Sequence, residues 1–205
     1  MRKFKTLQEQ FWSTKFGDEY SKRVTGDRIV LNNISLFGRA LRAAGKLNSA
    51  VELGCNIGLN LRALNQINPE MVLAGYEINE FAAKEAVNLG IATIRQGTII
   101  EPITEDNKYD LALIKTVLIH INPDELAAVY SNLYSLSSRW ILIVEYYNPT
   151  PVVVSYRGNE DRLFKRDFAG EMIDKYEMKL VDYGFVYHRD HSFPLDDMTW
   201  FLLEK

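Results

Sequence analysis

Two glycines that could shape a ligand-binding turn, Gly54 and Gly58, lie in the segment Ala-Val-Glu-Leu-Gly-Cys-Asn-Ile-Gly at 50–58. Because glycine carries no Cβ, such a turn lets the backbone approach a ligand closely. Helix-like apolar spacing follows in 59–67. A strand, a glycine-bearing turn and a helix in this order hold nucleotide-like cofactors at the end of a parallel strand. The spacing differs from the Gly-x-Gly-x-x-Gly dinucleotide fingerprint, so an ordinary strand-to-helix turn is the alternative.

An acidic residue, Glu77, stands directly after a second apolar run at 71–76. It follows the glycine turn by roughly 20 residues, the distance at which an acid accepts hydrogen bonds from both hydroxyls of a ribose. The alternative interpretation is a solvated residue at the end of a strand. Its pairing with the upstream turn favours the ribose role.

The elements that must position these residues alternate between strand-like and helix-like patterns, which predicts an α/β fold with a doubly wound parallel sheet. The connection between the last two apolar runs is too short for a crossover helix, so these two strands should be antiparallel. After the glycine turn, the predicted strands are 71–76, 91–95, 109–114, 140–144, 179–187 and 198–203.

The amino-terminal region, residues 1–45, is predicted to be helical, with one helix at 6–23 and a second at 28–44. Aromatic residues spaced by four share one face of the first helix. This face either packs on the domain or belongs to a lid that brings Tyr20 and Arg23 to a cofactor.

Composition excludes several classes of protein. A chain of 205 residues suits one domain with a sizeable core. A net charge of -3 gives no basic field for nucleic acid or membrane. Neither a secretory signal nor a membrane-spanning apolar stretch is present, so we expect a cytoplasmic protein. The sequence leaves its oligomeric state open. With Cys55 as the only cysteine and no His-Glu-x-x-His pattern, we expect neither a disulfide within the chain nor a metal site.

Longer motifs resemble a known family. They are Glu-Tyr-Tyr-Asn-Pro-Thr-Pro at 145–151, Tyr-Arg-Gly at 156–158, Leu-Phe-Lys-Arg-Asp-Phe at 163–168, Asp-Asp-Met-Thr-Trp-Phe-Leu-Leu at 196–203 and Phe-Trp-Ser-Thr-Lys-Phe-Gly-Asp-Glu-Tyr at 11–20. With the glycine turn and Glu77, the chain from 48 to 205 resembles class I S-adenosylmethionine-dependent methyltransferases. The longer motifs resemble the methylases associated with pseudaminic acid biosynthesis.

The resemblance implies a Rossmann-like, seven-stranded, mostly parallel sheet with an antiparallel last strand beside the fifth, helices on both faces and S-adenosylmethionine as cofactor. It also implies a set of cofactor contacts. These are Glu52, Gly54 and Gly58 around the methionine part, Glu77 and Ile78 at the ribose, Gly97, Thr98 and Ile99 at the adenine, and Lys115 and Thr116 below the cofactor.

One position departs from the family pattern. Asn56 stands where most class I enzymes have the central glycine of this turn. Its side chain either narrows the turn or donates its amide to the amino acid part of the cofactor. The residue after Gly97 is also not the aspartate that often binds the amino group of adenine, and backbone contacts could substitute for it.

The segment 146–166, which follows the fifth predicted strand, should emerge at the ligand-binding edge of the sheet, and we interpret it as a substrate-side insertion within a single domain. Its cations suggest an anionic substrate, and the alternative is a solvated basic loop. The candidate substrate-binding residues are Asn148, Tyr156, Arg157, Lys165 and Arg166.

Methyl transfer requires a positioned acceptor, and a hydroxyl acceptor must also lose a proton. His120, just past the fourth predicted strand, is the candidate base, and a structural histidine in a loop is the alternative. Tyr146 and Tyr147 could instead orient an amine or amidine, for which no strong base is required.

The resulting hypothesis is methyl transfer to a small anionic acceptor. The resemblance implies a nonulosonic sugar of the pseudaminic or sialic acid kind, its nucleotide conjugate or a precursor. Two alternatives are a nicotinamide-dependent oxidoreductase on a similar sheet and a non-catalytic module that binds a nucleotide or S-adenosylmethionine.

Overall fold

A computed structural model describes residues 4–156 and 158–205, with 159–161 described by their backbone alone. The strands are β1 Ser49–Leu53, β2 Val72–Glu77, β3 Thr93–Gln96, β4 Tyr109–Lys115, β5 Ser137–Glu145, β6 Val152–Tyr156, β7 Asn159–Lys165, β8 Lys179–Val186 and β9 Met198–Glu204. The α-helices are α1 Leu7–Trp12, α2 Lys15–Arg23, α3 Asp27–Ala40, α4 Leu59–Ile67, α5 Glu80–Asn88, α6 Leu126–Leu136 and α7 Phe168–Tyr176.

Seven strands form one sheet in the order β3-β2-β1-β4-β5-β9-β8. The pairs among β1 to β5 are parallel, whereas β9 runs antiparallel to both β5 and β8. The predicted α/β fold, with an antiparallel last strand inserted beside the fifth, is therefore confirmed. This topology brings the carboxyl ends of β1 to β5 to a single edge of the sheet.

The sheet is covered by helices on both faces, which explains its near-continuous apolar strands. In β4, Leu111 and Leu113 pack in one cluster with residues of α3 and α4. Ala112 and Ile114 pack in the other cluster with residues of α6 and α7. This alternation along the strand places the two halves of the core on opposite sides of the sheet. In the described part of the chain, no helix is both long and apolar enough to cross a membrane.

The helix predicted at 6–23 is interrupted between α1 and α2. The hydroxyl of Thr14 donates to the carbonyl of Gln10 at 2.8 Å, a bond that competes with continuation of the helix. A Cβ at Gly17 would lie only 1.9 Å from the carbonyl oxygen of Trp12. Glycine at this position therefore allows α2 to fold back closely against the end of α1.

The segment after β5 is more regular than its sequence indicated. β6 and β7 pair as an antiparallel hairpin, and Gly158 lies between them with φ 78°. The side chain of Asp167 accepts a bond from the backbone N–H of Gly170 and caps α7. The β-branched run at 152–154 and the following glycine are signals from which the hairpin could have been predicted.

Candidate functional site

A cavity of about 490 Å³ lies at the carboxyl edge of the sheet, beneath α1 and α2. Many residues predicted from the sequence to bind a ligand line it. They are Tyr20, Gly54, Asn56, Glu77, Ile78, Gly97, Thr98, Ile99, Lys115, Thr116, His120, Tyr146 and Tyr156. We call the part at the ends of β1 to β3 the glycine-turn side, and the part at the ends of β4 and β5 and at β6–β7 the hairpin side.

The glycine turn has the backbone geometry that its sequence predicted. Gly54 has φ 80°, and a Cβ there would lie 2.5 Å from a methyl group of Val117. Asn56 has φ 47°, a left-handed conformation that glycine and asparagine adopt more readily than other residues. This conformation explains how asparagine can stand where most class I methyltransferases have a central glycine. Gly58, with φ 80°, begins α4 and does not line the cavity.

Glu77 holds the glycine turn and the start of α5 together. One carboxylate oxygen accepts the backbone N–H of Asn56 at 2.7 Å, and the other accepts that of Asn79 at 2.8 Å. Burial raises the pKa of Glu77, while these backbone donors act in the opposite direction. Each oxygen retains a further lone pair, so the fixed carboxylate can also accept hydroxyl donors from a ligand.

Helices α1 and α2 are fastened over the cavity by polar bonds. The amide nitrogen of Asn79 donates to the carbonyl of Trp12 at 3.1 Å and to the carboxylate of Asp18 at 2.8 Å. The hydroxyl of Ser21 donates to Oδ1 of Asn56 at 2.7 Å. The sequence pattern did not identify Trp12, Asp18 or Ser21 as part of the site, because each bond joins residues far apart in the chain.

The loop after β3 forms another wall. The hydroxyl of Thr98 donates to Glu9, a buried residue whose other carboxylate oxygen caps α1. The carbonyl of Ile99 accepts the side-chain amide of Asn132 at 2.9 Å. Glu9 was not predicted as a site residue. The Thr6–Glu9 capping box is the local signal that could have located the start of α1.

Three acidic residues act on Lys115 at the end of β4: the buried Glu52 and Glu145 and the exposed Asp196. Burial raises the pKa of Glu52 and of Glu145 to about 8 each. Burial lowers the pKa of Lys115, and the charges of Glu52, Asp196 and Glu145 oppose that shift. Glu145 accepts the backbone N–H groups of Val117 and Leu118 at 2.8 and 2.7 Å, which fixes the loop after β4.

Several buried acceptors near the glycine turn have no protein donor. Glu52 does not line the cavity, but Oε1 of Glu52 accepts the amide of Asn60, which does. Within residues 4–156 and 158–205, Oδ1 of Asn33, Oδ1 of Asn60 and Oε2 of Glu52 are buried without a hydrogen-bond partner. Because unpaired buried acceptors are costly, donors from a ligand would stabilise the amide oxygens of Asn33 and Asn60. Glu52, with a pKa of about 8, carries a proton at neutral pH and can itself donate.

His120 is buried on the hairpin side between aromatic rings. Its Nδ1 lies 2.7 Å from the carbonyl oxygen of Arg162, and a carbonyl can only accept, so Nδ1 carries the proton. Burial lowers the pKa of His120 to about 4, so the ring is neutral at pH 7 and Nε2 retains its lone pair. The ring centroids of Trp12 and Tyr156 lie 4.6 and 5.1 Å from that of His120.

Tyr146 lines the cavity as a hydrogen-bond donor. Its hydroxyl donates to Asp196 at 2.7 Å, and burial together with this bond raises its pKa. Tyr146 therefore stays protonated at neutral pH. Tyr147 is 44% exposed, lies outside the cavity and faces Phe201, so its role in orienting an acceptor stays a prediction.

The predicted cation cluster is not assembled at the cavity. Lys165 lies over the outer part of Tyr146, with its ammonium 5.2 Å from the ring centroid. Arg166 pairs with Glu171 at 2.5 Å, and Asn148 bonds to the carbonyl of Thr150. None of these three residues lines the cavity, so their role as substrate contacts stays a prediction.

Two further predictions concern the region around the cavity. Arg23 is exposed near the end of α2 and does not line the cavity, so its approach to a ligand stays a prediction. Arg157 lies outside the described residues. Among the residues that the structure describes, Lys115 is the only lysine or arginine on the cavity lining.

No protein-family model matches the chain, and no curated protein matches it. Solved structures do match. One is magnesium protoporphyrin IX methyltransferase from Synechocystis PCC 6803 with bound S-adenosylhomocysteine, at a TM-score of 0.71 and 15% identity, covering 98% of this chain and 100% of that chain. An S-adenosylmethionine-dependent methyltransferase from Leishmania major matches at a TM-score of 0.71 and 15% identity, covering 96% of this chain and 81% of that chain.

A third solved structure is the plantazolicin methyltransferase in complex with a desmethyl analogue and S-adenosylhomocysteine. It matches at a TM-score of 0.64 and 16% identity, covering 97% of this chain and 94% of that chain. At this level of identity, the likeness establishes a shared fold. The chain has the Rossmann-like fold of these methyltransferases.

Proposed function

We propose that this chain binds S-adenosylmethionine in the cavity and transfers its methyl group to a small acceptor. The observation that carries the proposal is the placement of Glu77. Its carboxylate is fixed by backbone N–H groups from both the glycine turn and α5, at the edge of the sheet where ligands bind in α/β folds. The shared fold with methyltransferases supports the same conclusion.

The residues of the cavity fit this cofactor. Glu77 would accept the ribose hydroxyls, and Thr98 and Ile99 would flank the adenine. The unpaired acceptors of Asn33 and Asn60 suit an ammonium donor at the amino acid end. Gly54 leaves room for the close approach of a ligand, and about 490 Å³ is within the usual size of small-molecule pockets.

The bound cofactor supplies an electrophilic methyl group attached to a sulfonium. The contribution of the protein is to position the acceptor, exclude water and manage its proton. His120 is positioned to accept the proton of a hydroxyl acceptor, because Nδ1–H donates to a backbone carbonyl and Nε2 keeps its lone pair. Its pKa of about 4 makes it a weak base in this role. The hydroxyl of Tyr146 donates its proton to Asp196, so its oxygen could accept a hydrogen bond from the acceptor and orient it.

The finer proposal is that the acceptor is a nonulosonic sugar of the pseudaminic or sialic acid kind, its nucleotide conjugate or a precursor. The sequence resemblance supports it, whereas the names of the solved structures indicate varied acceptors, including a porphyrin. Such a sugar carries a carboxylate. Lys115, rather than Lys165 or Arg166, is the cavity cation that could meet that anion.

The first test is calorimetric titration of the purified chain with S-adenosylhomocysteine, the product of methyl transfer. We expect micromolar binding by the wild type and a loss of at least 100-fold in Glu77→Ala. Glu77→Gln, which retains one acceptor oxygen, should be affected less. Wild-type protein that binds NADH and ignores S-adenosylhomocysteine would instead support the oxidoreductase alternative.

The acceptor is tested by measuring production of S-adenosylhomocysteine with a panel of acidic nine-carbon sugars, their nucleotide conjugates and neutral sugars. Turnover with the acidic members, and a raised KM in Lys115→Met, would support the finer proposal. Turnover that is indifferent to the carboxylate would refute the sugar assignment and leave the cofactor assignment intact.

A further inference from the structure

The loop that joins β8 to β9, residues 187–197, reaches the cavity because of the antiparallel last strand. β9 runs antiparallel to β5, so the first residues of β9 lie beside the last residues of β5, and Thr199 is the partner of Glu145. The carboxyl end of β5 belongs to the edge of the sheet that carries the cavity. The residues just before β9 are therefore brought to that edge, and Asp196 lines the cavity.

Bonds at both sides of Asp196 hold this loop in place. The side-chain amide of Asn32, on α3, donates to the carbonyl of Pro194 at 2.6 Å. Oδ1 of Asp197 accepts the backbone N–H of His188 at 2.9 Å and lies 2.7 Å from Nδ1 of the same residue. Asp197 thus ties the two ends of the loop together, and it does not line the cavity. The two neighbouring aspartates therefore have different surroundings, and only Asp196 meets the cavity.

Asp196 has one oxygen engaged by the protein and one that is not. Its Oδ2 accepts the hydroxyl of Tyr146 at 2.7 Å, and no residue that the structure describes bonds to Oδ1. The other two carboxylates of the described lining are bonded at both oxygens. Glu77 accepts backbone N–H groups at each, and Glu9 bonds to Thr98 and caps α1. Asp196 therefore carries the carboxylate oxygen of this lining that is left entirely to a ligand.

The pair formed by Tyr146 and Asp196 offers hydrogen-bond acceptors to the cavity. The hydroxyl of Tyr146 gives its proton to Asp196, so its oxygen keeps lone pairs, and the carboxylate can only accept. Lys115 is the cation of the described lining, and it acts as a donor. Asp196 and Lys115 influence each other electrostatically but do not form an ion pair. A ligand with both an anionic group and donor groups can therefore lie between them.

We propose that Asp196 is a specificity-determining residue of the acceptor site. Its Oδ1 and the oxygen of Tyr146 accept hydrogen bonds from hydroxyl or amino groups of the acceptor, while Lys115 meets the carboxylate of that molecule. This role rests on the proposed function and narrows it to acidic acceptors that also carry several donors. The opposite charges of Asp196 and Lys115 fix the orientation, because an acceptor turned end for end would place its carboxylate against Asp196.

The test measures production of S-adenosylhomocysteine with N-acetylneuraminic acid, its nucleotide conjugate and its singly deoxygenated analogues. Asp196→Asn keeps an oxygen for the hydroxyl of Tyr146 but can present N–H donors to the donors of the acceptor. We expect KM for the intact sugar to rise roughly 10- to 100-fold, the usual worth of a hydrogen bond to a charged group. The wild type should disfavour one deoxygenated analogue by about tenfold, and the variant should lose that discrimination.

The matched control is Asp197→Asn, the same substitution one residue along the same loop. Asparagine at 197 can still accept the backbone N–H of His188, so KM and the discrimination between analogues should stay close to those of the wild type. An equal rise in KM for both variants would show that the shape of the loop matters and the carboxylate of Asp196 does not. That result would overturn the role proposed for Asp196.

Calorimetry with S-adenosylhomocysteine separates failure of this role from failure of the proposed function. Asp196→Asn should bind S-adenosylhomocysteine with an affinity close to that of the wild type, which also shows that the variant is folded. A wild type that does not bind S-adenosylhomocysteine would defeat the proposed function itself. A wild type that binds it but methylates none of the acidic sugars, or an Asp196→Asn variant that keeps the same KM and discrimination, would overturn the role of Asp196 alone.

Discussion

The two sides of the cavity are built by different means. On the glycine-turn side, the positions of the side chains follow from short local segments, and backbone N–H groups fix the key carboxylate of Glu77. On the hairpin side, the wall combines Trp12 from α1, His120 after β4 and Tyr156 from β6. Its rings pack against one another, and the ring of His120 is also bonded to a backbone carbonyl.

Because of this difference, the glycine-turn side can be shared among related folds, whereas the hairpin side can diverge among them. A site fixed by the backbone of a turn tolerates many sequence changes elsewhere, which suits a common cofactor. A wall of aromatic side chains from three distant segments changes its shape whenever one of those side chains is substituted. We therefore expect the glycine-turn side to determine cofactor binding and the hairpin side to determine the acceptor and its deprotonation.

The largest effect that would test this separation is expected at His120. His120→Gln keeps a side-chain amide that can donate to the carbonyl of Arg162 but removes the basic Nε2. If the acceptor is a hydroxyl, kcat should fall by roughly 10²–10⁴-fold, the usual contribution of a general base. Calorimetry should show affinity for S-adenosylhomocysteine within threefold of wild type.

A matched control for His120 is Trp12→Phe, which keeps an aromatic ring beside the histidine and should cost far less activity. An unchanged kcat in His120→Gln across pH 6 to 9 would assign the histidine a purely structural role. In that case an amine acceptor, oriented by Tyr146, would become the better interpretation.

The site residues divide in the same way into those that local sequence predicts and those that depend on contacts between distant segments. Gly54, Glu77 and the helix cap at Asn79 were predictable, because turns, strand ends and caps depend on residues close together in the chain. The parallel α/β sheet and the antiparallel last pair of strands also followed from local patterns and connection lengths, whereas the place of the last strand beside the fifth came from the family resemblance.

The interactions that the sequence did not reveal are non-local. Ser21 reaches Asn56, and Asp196 receives the hydroxyl of Tyr146, across intervals that no periodic pattern records. The predicted cations do not line the cavity for a related reason. Lys165 and Arg166 are close to the site in sequence, yet the pairing of β6 with β7 and the ion pair with Glu171 direct them elsewhere. The positive charge of these residues does not by itself indicate where their side chains lie in the fold.

The next largest effect is the pH dependence of stability that we expect from Glu145, which fixes the loop after β4 on the hairpin side. Its folded pKa of about 8 exceeds the ordinary 4.5, so the folded state binds the proton more tightly than the unfolded state. Its contribution to stability is complete below pH 4.5 and is lost as pH rises through 8. Relative to Glu145→Gln, the wild type should lose about 3 kcal/mol between pH 6 and 9.

Urea denaturation of both proteins at several pH values measures this difference. The glutamine retains an oxygen for the N–H groups of Val117 and Leu118, so the loop after β4 should keep its shape. The control is Glu70→Gln, an exposed carboxylate, which should show no comparable dependence on pH. Parallel curves for the wild type and Glu145→Gln would mean that Glu145 is already ionised at neutral pH.

A smaller effect is expected where the glycine-turn side meets α2. Ser21→Ala removes the hydroxyl that donates to Asn56, a neutral hydrogen bond worth about 1 kcal/mol. We expect a loss of that size in stability and a reduction of two- to fivefold in affinity for S-adenosylhomocysteine. Ser13→Ala is the matched control, since its hydroxyl bonds only to a carbonyl within the exposed end of α1.

Equal effects of the two serine substitutions would show that α2 does not support the turn. A further variant, Asn56→Gly, sharpens the comparison, because glycine adopts φ 47° without strain but supplies no acceptor for Ser21. If the side chain of Asn56 matters only as this acceptor, Ser21→Ala and Asn56→Gly should be non-additive in a double-mutant cycle.

The smallest effect is expected at Lys165, and its size tests the boundary of the hairpin side. The ammonium contacts the ring of Tyr146 from outside the cavity, an interaction worth about 0.5–1 kcal/mol at an exposed site. Lys165→Met should therefore lower stability slightly and leave the KM for an anionic acceptor within twofold. Lys115→Met, by contrast, removes the cation that lines the cavity and should raise that KM at least tenfold. A tenfold effect at Lys165 and none at Lys115 would place the anion against the hairpin, and the acceptor would then lie above the cavity instead of within it.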